Sequence, residues 1–154
     1  AYNARGLLNE SLHDQDKAIA DYSQALQNAP KDALGYLNRG SLYQQMNQPT
    51  LALKDLNQAI QLDPQDYRAY DARGLVYDAQ EKYGAALADI NRAISLNGPD
   101  PVLYNHRAVV YYHAGNDALA LAEPRISRRL LVFLDHGRRG GLEEELPNLD
   151  VVRE

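Results

Sequence analysis

Cysteine and tryptophan are absent from the 154 residues, and methionine and phenylalanine occur once each. Without a thiol the chain can build no disulfide scaffold, no thiolate metal site and no cysteine nucleophile. No apolar run approaches the ~20 residues of a membrane-spanning helix, so membrane insertion is not expected. There is no initiator Met and no signal-type start. The first residues, Ala1 to Arg5, read as the inside of a helix, as expected of a piece of a longer protein. Sixteen Lys and Arg face twenty-one Asp and Glu, a net charge of −5, which argues against nucleic acid as a partner. A Gly-rich phosphate loop, a Ser elbow and an HExxH helix are all missing, so no catalytic residue, metal or cofactor is expected. A soluble chain in the cytoplasm rather than the periplasm is the expectation.

What is present is ordinary globular usage, 45% hydrophobic and 24% charged, together with eleven tyrosines and a period. Arg5-Gly6, Arg39-Gly40 and Arg73-Gly74 recur every 34 residues, and Arg107-Ala108 continues the series. Tyr2, Tyr36, Tyr70 and Tyr104 keep the same spacing, as do Ala18, Ala52, Ala86 and Ala120. Asp32, Asp66 and Asp100 share a third register. This many coincident ladders define a repeat protein.

Each unit reads as two helices. Ala52, Leu53, Leu56, Ala59 and Ile60 form one apolar stripe at helical period in the second half of a unit. Tyr36, Gly40 and Tyr43, and likewise Tyr70, Gly74 and Tyr77, share a face in the first half. Asp32, Asp66 and Asp100 are placed to cap the next helix, with Pro101 in its first turn. Pro49 and Gly115 are expected in the turns between paired helices. A glycine inside a helix costs about 1 kcal/mol, so its recurrence implies close helix approach, with Ala18, Ala52 and Ala86 as the expected facing residues. Arg5, Arg39, Arg73 and Arg107 each have an acid sixteen residues later, namely Asp21, Asp55, Asp89 and Glu123. Each pair is expected to meet within one helical hairpin.

The run Tyr36, Gly40, Tyr43, Ala52, Leu56, Ala59 and Pro64 resembles the tetratricopeptide repeat (TPR) motif. The resemblance covers residues 1 to about 123, in units 1–33, 34–67, 68–101 and 102–123, with 124–154 as a C-terminal extension. Asn9 departs from it where a Tyr is expected, and Gly98-Pro99 shifts the proline by one. The resemblance implies an all-α solenoid of antiparallel helix pairs in a right-handed superhelix. It also implies a concave groove, made mainly by first helices, that binds a protein or peptide. Groove positions implied in this way are Asn3, Leu7, Asn38, Ser41, Gln44, Gln45, Arg68, Asp71, Leu75, Asp78, Asn105, His106, Tyr112 and His113. One mode of this family clamps a C-terminal carboxylate. Here Asn3 stands where its Lys would be, Leu7 where its first Asn would be and Ala72 where its Arg would be; only Asn38 and Arg68 fit. A carboxylate clamp is therefore not expected.

Asp71 and Asp78, and His106 and His113, are each seven apart, two turns along one helix face. Adjacent helices could bring carboxylate and imidazole together as a metal pair or a pH-sensitive contact. Two residues ~10 Å apart on one helix cannot share one metal, so polar groove residues are the preferred reading.

The rule breaks after Glu123. Pro124 falls mid-helix and is expected to end or kink it. Residues 1–123 carry the whole charge of −5, ten basic against fifteen acidic, while the remainder is neutral and rich in Arg. Ile126, Leu130, Leu131, Phe133 and Leu134 would form an apolar face that caps the solenoid. Self-association of copies through this segment and out-of-frame sequence are the alternatives. The functional expectation is an interaction scaffold. The alternative is a docking or regulatory TPR segment of a larger enzyme or envelope assembly, self-associating through its C-terminal segment.

Overall fold

The computed structural model describes residues 2–124 and Val132. Expectations that rest on Arg125 to Leu131 and on residues 133–154 lie outside the described residues. Eight α-helices and no strand occur among the described residues. They are α1 (Tyr2–Ser11), α2 (Gln15–Asn28), α3 (Ala33–Gln45), α4 (Pro49–Leu62), α5 (Tyr67–Ala79), α6 (Tyr83–Asn97), α7 (Pro101–His113) and α8 (Asp117–Ala122). The chain divides into two compact units at Val76, within α5. In the first, α1 packs on α2, α2 on α3 and α3 on α4; in the second, α6 packs on α7 and α7 on α8.

The tight turns are a backbone ladder. His13, Asn47, Glu81 and Gly115 stand 34 apart and take φ of 60°, 54°, 59° and 75°. In each, the amide of the following residue reaches back five residues: Asp14 to the Asn9 carbonyl at 2.9 Å, Gln48 to Tyr43 at 2.8 Å, Lys82 to Tyr77 at 2.9 Å and Asn116 to Tyr111 at 2.8 Å. This closes the helix end in the Schellman manner, with the left-handed residue at the position glycine usually takes. Glycine fills it once; the other three side chains bear the left-handed cost. Pro49 does not lie in such a turn. It opens α4 at the first helical position, where its missing N–H leaves no bond unmade.

The expected caps are present. Asp32, Asp66 and Asp100 accept hydrogen bonds from the amides of Leu34, Arg68 and Val102 at 3.1, 3.0 and 2.9 Å. Tyr36 and Tyr70 hydroxyls donate to the carbonyls of Pro30 and Pro64 at 3.4 and 3.3 Å. These bonds fasten the loop entering each helix.

Core positions follow the stripe. Ala52, Leu56 and Ala59 are buried with Leu37, Ala69 and Val76 in the first unit, and Ala86, Ile90 and Val110 in the second. Burying a leucine such as Leu56 contributes ~1.5–3 kcal/mol. The glycines face larger residues than expected. A Cβ on Gly40 would stand 2.9 Å from Leu56 Cγ, and one on Gly6 2.5 Å from Tyr22 Cε1. Leu56 and Tyr22 therefore stand nearest to the glycines, one turn beyond Ala52 and Ala18. The bulky side chains need the gap, and both alanines are fully buried.

Pro124 ends α8 after six residues. Glu123 takes φ −62°, ψ 131°, the extended conformation that a following proline imposes.

Candidate functional site

Each repeat arginine is the centre of a polar cluster. Arg39 donates to Asp55 through Nε at 2.7 Å and Nη2 at 3.0 Å, and through Nη1 to Ser23 Oγ at 2.9 Å. Its guanidinium also lies over the Tyr36 ring at 6.0 Å. Arg107 repeats the arrangement with Glu123 at 2.6 and 2.8 Å, Asn91 at 2.6 Å and the Tyr104 ring at 5.5 Å. Arg73 donates to Asn57 at 2.7 Å within the first unit. Arg5 chelates Asp21, and its guanidinium holds the Asp21 carboxyl below the usual range. The extra methylene of Glu123 lets it reach Arg107 although Pro124 has already broken the helix. Ser23, Asn57 and Asn91 form a further ladder, a polar one that apolar periodicity does not reveal. They stand 34 apart, one residue after Tyr22, Leu56 and Ile90, and each accepts from the arginine sixteen residues on. Arg39 and Arg107 thus each tie the second helix of the preceding pair to their own hairpin. Asn9, which replaces a tyrosine, donates to Asp21 at 2.9 Å. The Tyr22 hydroxyl, in a fully buried ring, donates to Glu10 at 2.8 Å, and burial first, then Glu10, raises its pKa.

The groove positions fall into distinct environments. Leu7 is half exposed. Asn3, Asn38, Ser41, Gln44, Asp71, Leu75, Asp78 and Tyr112 are partly covered, while Gln45 and Arg68 are exposed. Gln45 donates to Glu10 at 3.3 Å, and Arg68 is turned back onto Asp66 at 2.9 and 2.7 Å. Two positions differ from expectation: Asn105 is 1% exposed and His106 6%, so neither offers its side chain to an incoming partner. Both lie on the mostly buried middle of α7, beside Leu103, Ala108, Val109 and Val110. Asp78 and His113 do meet, with Nδ1 3.1 and 2.8 Å from the two carboxylate oxygens. That hydrogen bond raises the His113 pKa above its ordinary value, against desolvation. Among the described residues no group of three His, Cys, Asp or Glu side chains is placed to hold a metal ion.

Among the described residues two side-chain atoms stand out as buried and unpaired, Asn3 Oδ1 and Asn38 Nδ2, both at groove positions of the first unit. An unmet buried hydrogen-bonding group costs ~1–3 kcal/mol, so each needs a reason.

Two family models described as tetratricopeptide repeat match the chain, one over residues 5–76 and the other over residues 72–124. The chain belongs to the tetratricopeptide repeat family. The crystal structure of MamA resembles this TPR protein with a TM-score of 0.68 and 26% identity, over 77% of this chain and 69% of that one. A tetratricopeptide repeat protein from Parabacteroides merdae is similar at TM-score 0.78 and 22% identity, over 90% of this chain and 58% of that one. The first TPR of Spaghetti, solved bound to an HSP90 peptide, is similar at TM-score 0.71 and 23% identity, over 74% of this chain and 90% of that one. The last two likenesses concern the fold alone. Among curated proteins none matches the chain. No described helix of the TPR protein is long and apolar enough to cross a membrane.

Proposed function

We propose that this TPR protein is an interaction scaffold that takes a peptide or partner segment on the faces of its first helices, at the groove positions named above. The observation that carries the reading is Asn38 Nδ2, a buried amide donor left without an acceptor. A backbone carbonyl of a bound extended segment would satisfy it, after a small rotation of the carboxamide. The mostly uncharged polar surface of α3, with Ser41, Gln44 and Gln45 beside Asn38, suits main-chain recognition. The structural likeness to the first TPR of Spaghetti, itself bound to a peptide, supports the same use of the fold. The test is selection of peptides from a random displayed library on the whole chain. Asn38→Ala should weaken the selected peptides about tenfold, the worth of one hydrogen bond to a buried amide. Gln61→Ala, on exposed α4 surface, should leave them unchanged. Equal binding by wild type and Asn38→Ala would refute the assignment.

A second reading, a docking segment of a larger assembly, is favoured by Leu8. It is 57% exposed, while its register mates Leu42, Val76 and Val110 are 0–1% exposed against second helices. A helix of the same type covering this face would bury Leu8 and give Arg5 Nη1 the acceptor that Ser23 gives Arg39. Leu8→Asp should then abolish the association without lowering the melting temperature of the isolated chain.

A further inference from the structure

The first unit carries a cleft of 260 Å³ lined by Tyr2, Asn3, Ala25, Asn28, Ala29 and Asp32. It is smaller than the ~300–1,000 Å³ of sites for whole small molecules, and suits a single side chain. Its chemistry is one-sided. Asn3 Nδ2 donates to Asp32 Oδ2 at 2.8 Å. Because a carboxylate can only accept, that bond settles which end of the Asn3 amide is which. The buried, unpaired Oδ1 is therefore an acceptor waiting for a donor. Asp32 contributes a carboxylate, and the exposed Lys31 beside it forms no ion pair among the described residues. Ala25, Asn28 and Ala29 belong to the C-terminal end of α2, where free carbonyls concentrate negative charge and the last turn holds no basic residue.

From these features we infer that the cleft binds a cationic side chain, a lysine ammonium or an arginine guanidinium, of a partner segment. The assignment rests on the scaffold reading and adds the partner's chemistry: a segment with a basic residue. The next repeat supplies an internal precedent. Asp66, the register mate of Asp32, is occupied by the chain's own Arg68 guanidinium at 2.9 and 2.7 Å. The mate of Arg68 is Leu34, so that register supplies Asp32 with no such cation. At the register of Asn3 the next repeat has the apolar Leu37, so the orphan acceptor belongs to the first repeat alone of these two. Tyr2 and Asn28, both exposed, form the rim; a small outward shift there admits the donor to Oδ1. The ten basic and fifteen acidic residues of 1–123 steer such a ligand toward the repeats. The polarity is the reverse of a carboxylate clamp: an acceptor stands where that clamp has its lysine.

The test is a side-chain-resolved NMR titration of the whole chain with N-acetyl-lysine methylamide, against N-acetyl-norleucine methylamide and acetate. The lysine probe should move the Asn3 and Asn28 amide signals saturably, and the other two should not. Asp32→Asn, which keeps a good helix cap, and Asn3→Leu, which copies the next repeat, should each weaken it about tenfold. Equal response to norleucine or acetate, or no response at Asn3, overturns the proposal, and this comparison on wild type stands even if a variant fails to fold. Selected peptides that bind through Asn38 yet carry no Lys or Arg also overturn it while leaving the scaffold reading standing. Recovery of no peptide overturns the scaffold reading, and the lysine titration still decides the cleft.

Discussion

Replacing Arg39 by alanine removes a bidentate ion pair, a bond to the preceding repeat and a ring contact in one step. Asp55 is 3% exposed at its side chain and Arg39 19%, so both charges are largely out of water. Removing one partner of such a pair costs ~3–5 kcal/mol, because the other is left buried and uncompensated. Asp55→Ala should fall near the lower end, since Arg39 keeps Ser23 and some solvent. Arg39→Ala should cost at least as much, since Asp55 would keep no cation and little water. The double variant should lose less than the sum, leaving a coupling of ~1–3 kcal/mol. Against a total stability of ~5–15 kcal/mol, this is readable in urea unfolding followed by circular dichroism. Ser23→Ala should cost ~0.5–1.5 kcal/mol and couple to Arg39 but not to Asp21. Arg5, whose side chain is 60% exposed, should show a weaker coupling to Asp21 in the same assay. Additivity of Arg39→Ala and Asp55→Ala within ~0.3–0.5 kcal/mol would refute the cluster as a unit of stability.

Glu81→Gly, at a φ of 59°, should raise stability by about 1 kcal/mol in the same unfolding assay, since glycine adopts that backbone without strain. Gly40→Ala should cost ~1–3 kcal/mol, because its Cβ would press on Leu56 Cγ at 2.9 Å, whereas Gly84→Ala, with nothing within 4 Å, should gain up to about 1 kcal/mol. A raised folded-state pKa means that the Asp78–His113 contribution is complete below the ordinary imidazole value of 6.5 and is lost as pH rises through the raised one. Wild type minus His113→Asn stability should therefore shrink from pH 5.5 to 8.5, and a difference that grows with pH would contradict the pair.

The period was legible because identical residues recur where packing tolerates little else. The tyrosine, alanine and Arg–acid ladders each occupy a site repeated every 34 residues. The caps of α3, α5 and α7 were legible for a related reason, since a single Asp before each decides the local bond. The turn ladder was less so. His13, Asn47, Glu81 and Gly115 share a backbone conformation rather than a side-chain type, and only Gly115 announces it. Ser23, Asn57 and Asn91 share an acceptor oxygen on short polar side chains, which carry no apolar signal; their spacing relative to the arginines could have found them. Proline both ends and begins helices, so its presence at position 49 suits a turn or a helix start, and only the backbone shows that it opens α4.

The sequence by itself determined the repeat, the helix pairs and the existence of an arginine–acid pairing, because these rest on local propensity and on spacing within one hairpin. Tertiary structure decided which residues each glycine admits, that Asn105 and His106 are buried, that Asp78 and His113 meet, and that Asn3 keeps an unpaired acceptor over Asp32. These depend on the exact approach of neighbouring helices, where a shift smaller than a methyl group changes which atoms touch. Spacing along the chain records the register of a side chain, and packing alone sets what that side chain meets.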